Sequence, residues 1–315
     1  MTRRYCSPMA VGHVTVAIQD DARDGRSLTV EAWYPTDQHG STPTRYDLLP
    51  GVGFDSPIAI ESSTPSAGRH PVIVWSHGRT GLRHIYTKLC EGLAANGYIV
   101  VSADHTGDTL FDWLTGANVD DVTNERQRLG DVRHLIDATL AGHIAPISPT
   151  HVDESSVFVA GHSYGGLTAI ISHTGIHGLD GDIRVRAIAG AQAYTRTLSN
   201  ELIDQISVPA LLLVGTGDTT TPPSTDADPL WSRLAARDDR HRRVDLAHGG
   251  HQACSDFSYY MEVLPTIADV PQLVVDYLES IAAESPPGFR DTWRATLDTQ
   301  IAAISDFFGR VRGGK

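Results

Sequence analysis

Hydrophobic positions along this chain follow two periods. In residues 11–18 ("VGHVTVAI") and 27–34 ("SLTVEAWY") apolar and polar residues alternate. Alternation of this kind marks strands with one buried face. The polar stretch "QDDARDGR" between them predicts a hairpin with a long connection. Residues 35–70 are rich in Pro, Ser, Thr and Gly and read as an irregular surface excursion. From Pro71 onward the texture changes. Short apolar runs rich in Val and Ile occur at 71–76, 97–103, 156–160, 185–191 and 209–215. They are too short for buried helices and predict parallel strands covered on both faces. Helix-length segments at 84–95, 124–142, 164–175 and 226–237 are interspersed with them. Strands and helices alternating in this way predict an α/β fold around a mostly parallel sheet flanked by helices. Two more helices are expected in the tail, "VPQLVVDYLESIAA" and "FRDTWRATLDTQIAAISDFFG", split by Pro286-Pro287. No break in composition demands a second domain. The chain is read as one domain over 1–315, with an N-terminal hairpin and excursion over 1–70 and a helical tail over 286–315.

Composition narrows the function. A hydrophobic content of 41% and a charged content of 20% in 315 residues fit a globular protein. The formal charge of −13 argues against nucleic acid as a partner, because phosphate contact needs a basic face. No apolar run reaches the ~18 residues of a membrane span. The N-terminus shows no continuous apolar stretch of the signal-peptide kind, so a cytoplasmic location is expected. Cys6, Cys90 and Cys254 are odd in number and scattered, which suggests free thiols.

The chemistry concentrates in "VFVAGHSYGGLTAI", residues 157–170. An apolar strand runs into Ser163, and a helix pattern follows it. A sharp strand-to-helix turn holds such a serine in a strained conformation with its oxygen exposed. Backbone must pass close by at the positions two before and two after, and Gly161 and Gly165 fit there because they lack a side chain. Ser163 is therefore the candidate nucleophile, with the following helix N-terminus favouring negative charge.

A serine hydroxyl needs a base. In this kind of fold the acid and the histidine follow the serine in that order. Asp218, in the loop after the strand at 209–215, is the candidate acid, because open α/β sheets place their sites at the carboxyl ends of strands. Asp204, Asp226 and Asp228 compete but fall in or beside helical segments. His251 and His248 compete for the base. His251 is preferred, being nearest the next helix start and so at the tip of its loop. Two glycines between these histidines argue against a helical metal-ligand face, and no metal or organic cofactor is expected. His162 adjoins the serine but is expected to point away from its face. His77, His84 and His105 are expected near the pocket, with His105 and Trp113 as substrate-contacting candidates. The stretch 104–123, with Phe111 and Trp113, is the expected apolar wall. The backbone amides of Tyr164 and Arg79 are the expected oxyanion donors, since Gly78 allows a close turn after the first parallel strand.

These residues resemble serine hydrolases of the α/β-hydrolase superfamily. Within it, the chain is similar to dienelactone-hydrolase relatives, platelet-activating-factor acetylhydrolases and bacterial cutinase-type polyester hydrolases. The stretches that carry the likeness are "EAWYP" (31–35), "HPVIVWSHG" (70–78), "LAANGYIVVSADH" (93–105), "GHSYGG" (161–166), "GTGDTTTP" (215–222) and "GGHQACSDF" (249–257). The acetylhydrolase pattern carries its acid after the strand that here ends "AIAGAQAY", where no carboxylate stands. Asp218, one strand later, corresponds to the cutinase-type arrangement. The same resemblance implies that Tyr194 contacts substrate. The separation of 55 positions from Ser163 to Asp218 leaves no room for an inserted cap domain (218 − 163 = 55). The implied activity is cleavage of small-molecule carboxylic esters through an acyl-enzyme. Thioesterase, amidase or acyl-transferase chemistry on the same residues, and a non-catalytic binding role, are the alternatives.

Overall fold

The computed structural model describes residues 10–38 and 42–314. Cys6 and residues 1–9, the first part of the stretch read for a signal peptide, lie outside them. The hairpin expected at the start is formed by β1 (Ala10–Asp20) and β2 (Arg26–Thr36), antiparallel along their whole length from Ala10 opposite Thr36 to Asp20 opposite Arg26. The five apolar runs form β5 (His70–Ser76), β6 (Ile99–Ala103), β7 (Val152–His162), β8 (Val185–Ala191) and β9 (Ala210–Gly215). With β10 (Arg242–Leu246) they make a parallel block.

Residues 43–61 correct the expectation of an irregular excursion. They form β3 (Pro43–Leu49) and β4 (Val52–Glu61), which pair with each other and extend the sheet beyond β1. The period of two is present in β3, where Thr44, Tyr46 and Leu48 are buried between exposed Pro43, Arg45 and Asp47. It is masked in sequence because Thr44 and, in β4, Ser56 fill buried positions with polar side chains. Prolines also sit in both strands: Pro43 opens the edge strand β3, and Pro57 occupies a position of β4 without a partner in either register.

Among the described residues ten strands join one sheet, in the order β10-β9-β8-β7-β5-β6-β2-β1-β4-β3. The chain passes from β5 outward to β6 and returns across β5 to β7. The strand order therefore reverses between β5 and β7, which opens a crevice at their carboxyl ends.

Each parallel strand is apolar on both faces because helices cover both. On one side Ile73, Trp75, Phe158 and Leu211 pack under α1 (Thr87–Ala95) and α9 (Phe289–Arg312). Phe308 of α9 stacks on Phe158 with ring centroids 4.4 Å apart. On the other side Val72, Val74, Val157 and Leu212 pack under α3 (Asp121–Ala141), α4 (Tyr164–Thr174) and α6 (Ala227–Ala235). Helix α3 begins earlier than its hydrophobic pattern suggests, because Asp120 caps its polar first turn by accepting from the Thr123 amide. The remaining α-helices among the described residues are α2 (Leu110–Thr115), the single turn α5 (Asn200–Ile203), α7 (Phe257–Val263) and α8 (Gln272–Ala283). Between Ser163 and Asp218 lie only α4, β8, α5 and β9, so no cap is inserted there.

A buried polar cluster ties the added strands to the sheet. His13 of β1 lies 2.5 Å from Glu31 of β2 and 2.9 Å from Glu61 of β4. Arg83 also reaches Glu31, at 2.9 Å. Burial works to lower the His13 pKa, but hydrogen bonds and charge from the two carboxylates outweigh it and push it up to about 9. An imidazole raised in the folded state stabilises fully below its unfolded value and loses that contribution as pH rises through the folded value. Urea unfolding should therefore show stability declining between about pH 7 and 9.5, by roughly 2–3 kcal/mol at 1.4 kcal/mol per unit. Glu61→Gln should make the decline shallower.

Candidate active site

The site begins with the turn from β7 into α4. Ser163 stands at the N-cap of α4 with φ 53° and ψ −118°, a region L-residues rarely occupy. The flanking glycines make that turn possible. A Cβ on Gly161 would lie 2.3 Å from the Gly165 carbonyl oxygen, and one on Gly165 would lie 2.0 Å from that of Ser76. The β7–α4 turn is thus pressed against the end of β5, at the point where the strand order reverses.

Three distant side chains meet at this turn. His251 Nε2 is 3.0 Å from Ser163 Oγ, and His251 Nδ1 is 2.9 Å from Asp218 Oδ2. Asp218 follows β9, and His251 follows β10. Asp218 Oδ1 accepts the amides of Thr220 and Thr221 at 2.9 and 2.8 Å, which leaves Oδ2 turned to the imidazole. The Thr221 hydroxyl lies 2.6 Å from that same Oδ2. Burial works to raise the Asp218 pKa, but the bonds and charge of His251 and the Thr221 donors prevail and hold it below the usual carboxylate value. Asp218 is accordingly an anion at neutral pH, which orients Nδ1–H towards itself and leaves Nε2 free to accept from the serine.

The competing residues are engaged elsewhere. Asp204 is at the surface with Arg233 and Arg237. Asp226 is buried and pairs with Arg196 while accepting the Thr195 amide. Asp228 pairs with Arg243. His248 is exposed, with φ 60°.

His162 departs from expectation in an informative way. Its ring centroid is 4.7 Å from that of His251. His162 Nε2 is 2.7 Å from the His251 carbonyl oxygen, and Nδ1 is 2.8 Å from the Tyr86 hydroxyl. A carbonyl can only accept, so Nε2 carries the proton and Nδ1 accepts from Tyr86. Tyr86 in turn accepts the Gly78 amide at 3.2 Å. Burial, and secondarily the neighbouring His251, push the His162 pKa down to about 3, so the ring stays neutral. One hydrogen-bonded chain thus runs from the loop after β5 to the backbone of His251. Sequence offered a weak signal for it: a histidine beside the serine, and a tyrosine directly before a helix.

The substrate-contacting candidates fare unequally. A cleft of about 370 Å³ opens over Ser163 and His251. Its apolar lining comes from Ile85, Phe257, Tyr277 and Ile281, so α7 and α8 supply the wall expected from 104–123. His105 is buried away from the cleft. Its ring bonds Ser76 Oγ at 2.9 Å and Asp131 at 3.0 Å. Trp113 donates to Asp108 at 3.0 Å and is 40% exposed, outside the cleft lining. Phe111 is 45% exposed on the short helix α2, which has no buried residue. Tyr194 touches the nucleophile turn through its amide, which donates to the Ser163 carbonyl at 2.9 Å. Its ring stacks on Tyr164, centroids 5.7 Å apart, and is not part of the cleft wall. His77 is buried behind the β5 loop, and His84 is buried outside the cleft lining.

The amides expected to bind an oxyanion belong to residues at the cleft. Arg79 lines it, and Tyr164 opens α4 directly after Ser163. Gly78 brings the two loops together: a Cβ there would lie 3.3 Å from Ser163 Cβ. Among the described residues no group of three or more His, Cys, Asp or Glu could hold a metal ion. Cys90 and Cys254 are buried free thiols. Among the same residues no helix is long and apolar enough to cross a membrane.

With this geometry in view, the relationships of the chain can be stated. Residues 47–112 match the family model of platelet-activating factor acetylhydrolase, isoform II. That stretch includes β5 and the Gly78–Arg79 loop but not Ser163. A solved ferulic acid esterase from Streptomyces cinnamoneus aligns with a TM-score of 0.70 over 98% of this chain and 91% of that one, at 22% sequence identity. The class is therefore plain: this is an α/β-hydrolase fold, without an inserted cap. Within that class, the sequence resembles the acetylhydrolase family across the loop after β5.

Gly165→Ala should test the turn. The new methyl would meet the Ser76 carbonyl, so denaturant titration should show a loss of about 2–4 kcal/mol, with the geometry at Ser163 disturbed.

Proposed function

We propose that the protein is a serine carboxylic-ester hydrolase that works through an acyl-enzyme. One observation carries the reading: two successive hydrogen bonds link Ser163 Oγ to His251 and His251 to buried Asp218, and Ser163 and His251 line an open cleft. Ser163 attacks the ester carbonyl while His251 Nε2 takes its proton. Asp218 holds the imidazole tautomer and stabilises the imidazolium that forms. The amides of Arg79 and Tyr164 receive the developing oxyanion, each donor being worth roughly 3–4 kcal/mol in reactions of this type. The imidazolium then protonates the leaving alkoxide. Water, deprotonated by the same histidine, releases the acid and restores the serine.

The similarity to an acetylhydrolase family model and to the fold of a ferulic acid esterase supports ester cleavage as the reaction. The apolar wall of Ile85, Phe257, Tyr277 and Ile281 suits a small-molecule ester with an apolar part. The test is hydrolysis of short p-nitrophenyl acyl esters. Wild-type protein should turn them over, and Ser163→Ala should lower kcat by about 10⁴-fold or more. Comparable activity in the mutant would overturn the role of Ser163. A thioester or amide turned over faster than every ester would reassign the leaving group.

A further inference from the structure

We infer that Arg128, a fully buried arginine of α3, is a positioning residue that aims the Arg79 amide into the oxyanion site; this rests on the serine-hydrolase reading above. Arg128 touches neither the cleft nor Ser163. Its Nη1 donates to the His77 carbonyl at 2.8 Å and to Ser76 Oγ at 3.1 Å. Its Nη2 donates to the Gly78 carbonyl at 3.3 Å. The other side of the guanidinium is held by Asp108, whose Oδ2 accepts from Nε at 3.1 Å and from Nη2 at 2.8 Å. Asn124 secures the same carboxylate oxygen at 2.6 Å.

The direction of one peptide plane turns these contacts into a functional statement. In a trans peptide the C=O of one residue and the N–H of the next point in opposite directions. Drawing the Gly78 oxygen inward, towards Arg128, therefore turns the Arg79 N–H outward. Arg79 lies on the cleft wall with Ser163, so outward is the side of the reacting carbonyl. Two further donors act on the same oxygen. The Gly81 amide reaches it at 3.0 Å, and His77 Nδ1 lies 2.7 Å from it. The His77 tautomer is determined, because Nε2 accepts the His105 amide at 3.0 Å and Nδ1 must then carry the proton. The Gly78 oxygen thus receives three donors, which together hold its peptide in this orientation.

Only a planar fork can serve this arrangement. Arg128 must face two successive carbonyls, a hydroxyl and a carboxylate at once, and an ammonium gathers its three donors on one nitrogen. The guanidinium carbon also lies 5.4 Å from the centre of the Tyr164 ring, so both oxyanion-bearing residues neighbour one cation. A buried ion pair with Asp108 is in itself weak evidence of stabilisation. Aiming an amide is a use of that pair that exposed residues could not provide.

The experiment compares wild type, Arg128→Lys and Asp108→Asn with a short p-nitrophenyl ester and with a trifluoromethyl ketone, whose serine adduct carries an oxyanion. A misaimed donor weakens interactions made only in the transition state. Arg128→Lys should therefore lose roughly 10- to 100-fold in kcat, leave KM within about threefold, and bind the ketone more weakly by a similar factor. Asp108→Asn, which keeps the arginine and the side-chain shape, should shift the same quantities in the same direction by a smaller factor. It carries the test if Arg128→Lys does not fold. A folded variant with wild-type kcat, or one that loses kcat while keeping wild-type ketone affinity, overturns the inference. Ser163→Ala separates the two claims: loss of turnover there, beside unchanged Arg128→Lys, refutes the positioning role and leaves the hydrolase reading standing.

Discussion

The structure depends on one close approach, that of the β7–α4 turn to the end of β5. Two segments of backbone can meet there only because Gly161 and Gly165 present no side chain, and the contact leaves Ser163 with φ 53°. Such a conformation is costly in isolation and persists because both neighbouring strands are locked in the sheet. Its position follows from topology. The strand order reverses between β5 and β7, so the loops that leave them diverge and open a crevice in which an exposed serine has room.

Around this turn the interior is polar, and its polarity is ordered. On one flank neutral groups form a relay of hydrogen bonds, from the Gly78 amide through Tyr86 and His162 to the His251 carbonyl. On the other flank charges are paired. Arg128 is matched by Asp108, and buried Asp131 takes Arg23, Arg26 and His105. Burial works to raise the Asp131 pKa, but these partners hold it well below the usual carboxylate value. Every one of these groups would be expensive to bury alone, and together they restrict the loops to a single arrangement. The loop after β5 is gripped from both flanks. The proposed nucleophile, base and oxyanion donors are therefore held by side chains that never meet the substrate.

Much of this was legible in the chain. The apolar runs from Pro71 onward marked the parallel strands because helices on both faces remove the need for polar positions. The glycine-boxed serine marked the turn because its steric requirement is local. Asp218 follows from the rule that sites gather at strand carboxyl ends, and His251 from its place nearest the next helix start, at the tip of its loop. The rest was hidden for physical reasons. Strands β3 and β4 were missed because Thr44 and Ser56 occupy buried positions and blur the alternation. His105 looked like a pocket residue from its place after β6, but its partners, Ser76 and Asp131, come from other elements. The cleft wall was assigned to 104–123 for its aromatics, yet helices α7 and α8 fold back to line the site, which no local pattern encodes.

The sequence by itself determined the layered α/β architecture and the residues that meet at the Ser163 turn, because both arise from periodicity and from steric needs confined to a few neighbouring positions. Tertiary structure alone decided which side chains wall the cleft, which histidines are buried and neutral, and which arginine faces the Gly78 carbonyl. Those properties depend on distances between segments that lie from tens to well over a hundred residues apart, and distance in space leaves no trace in local order along the chain.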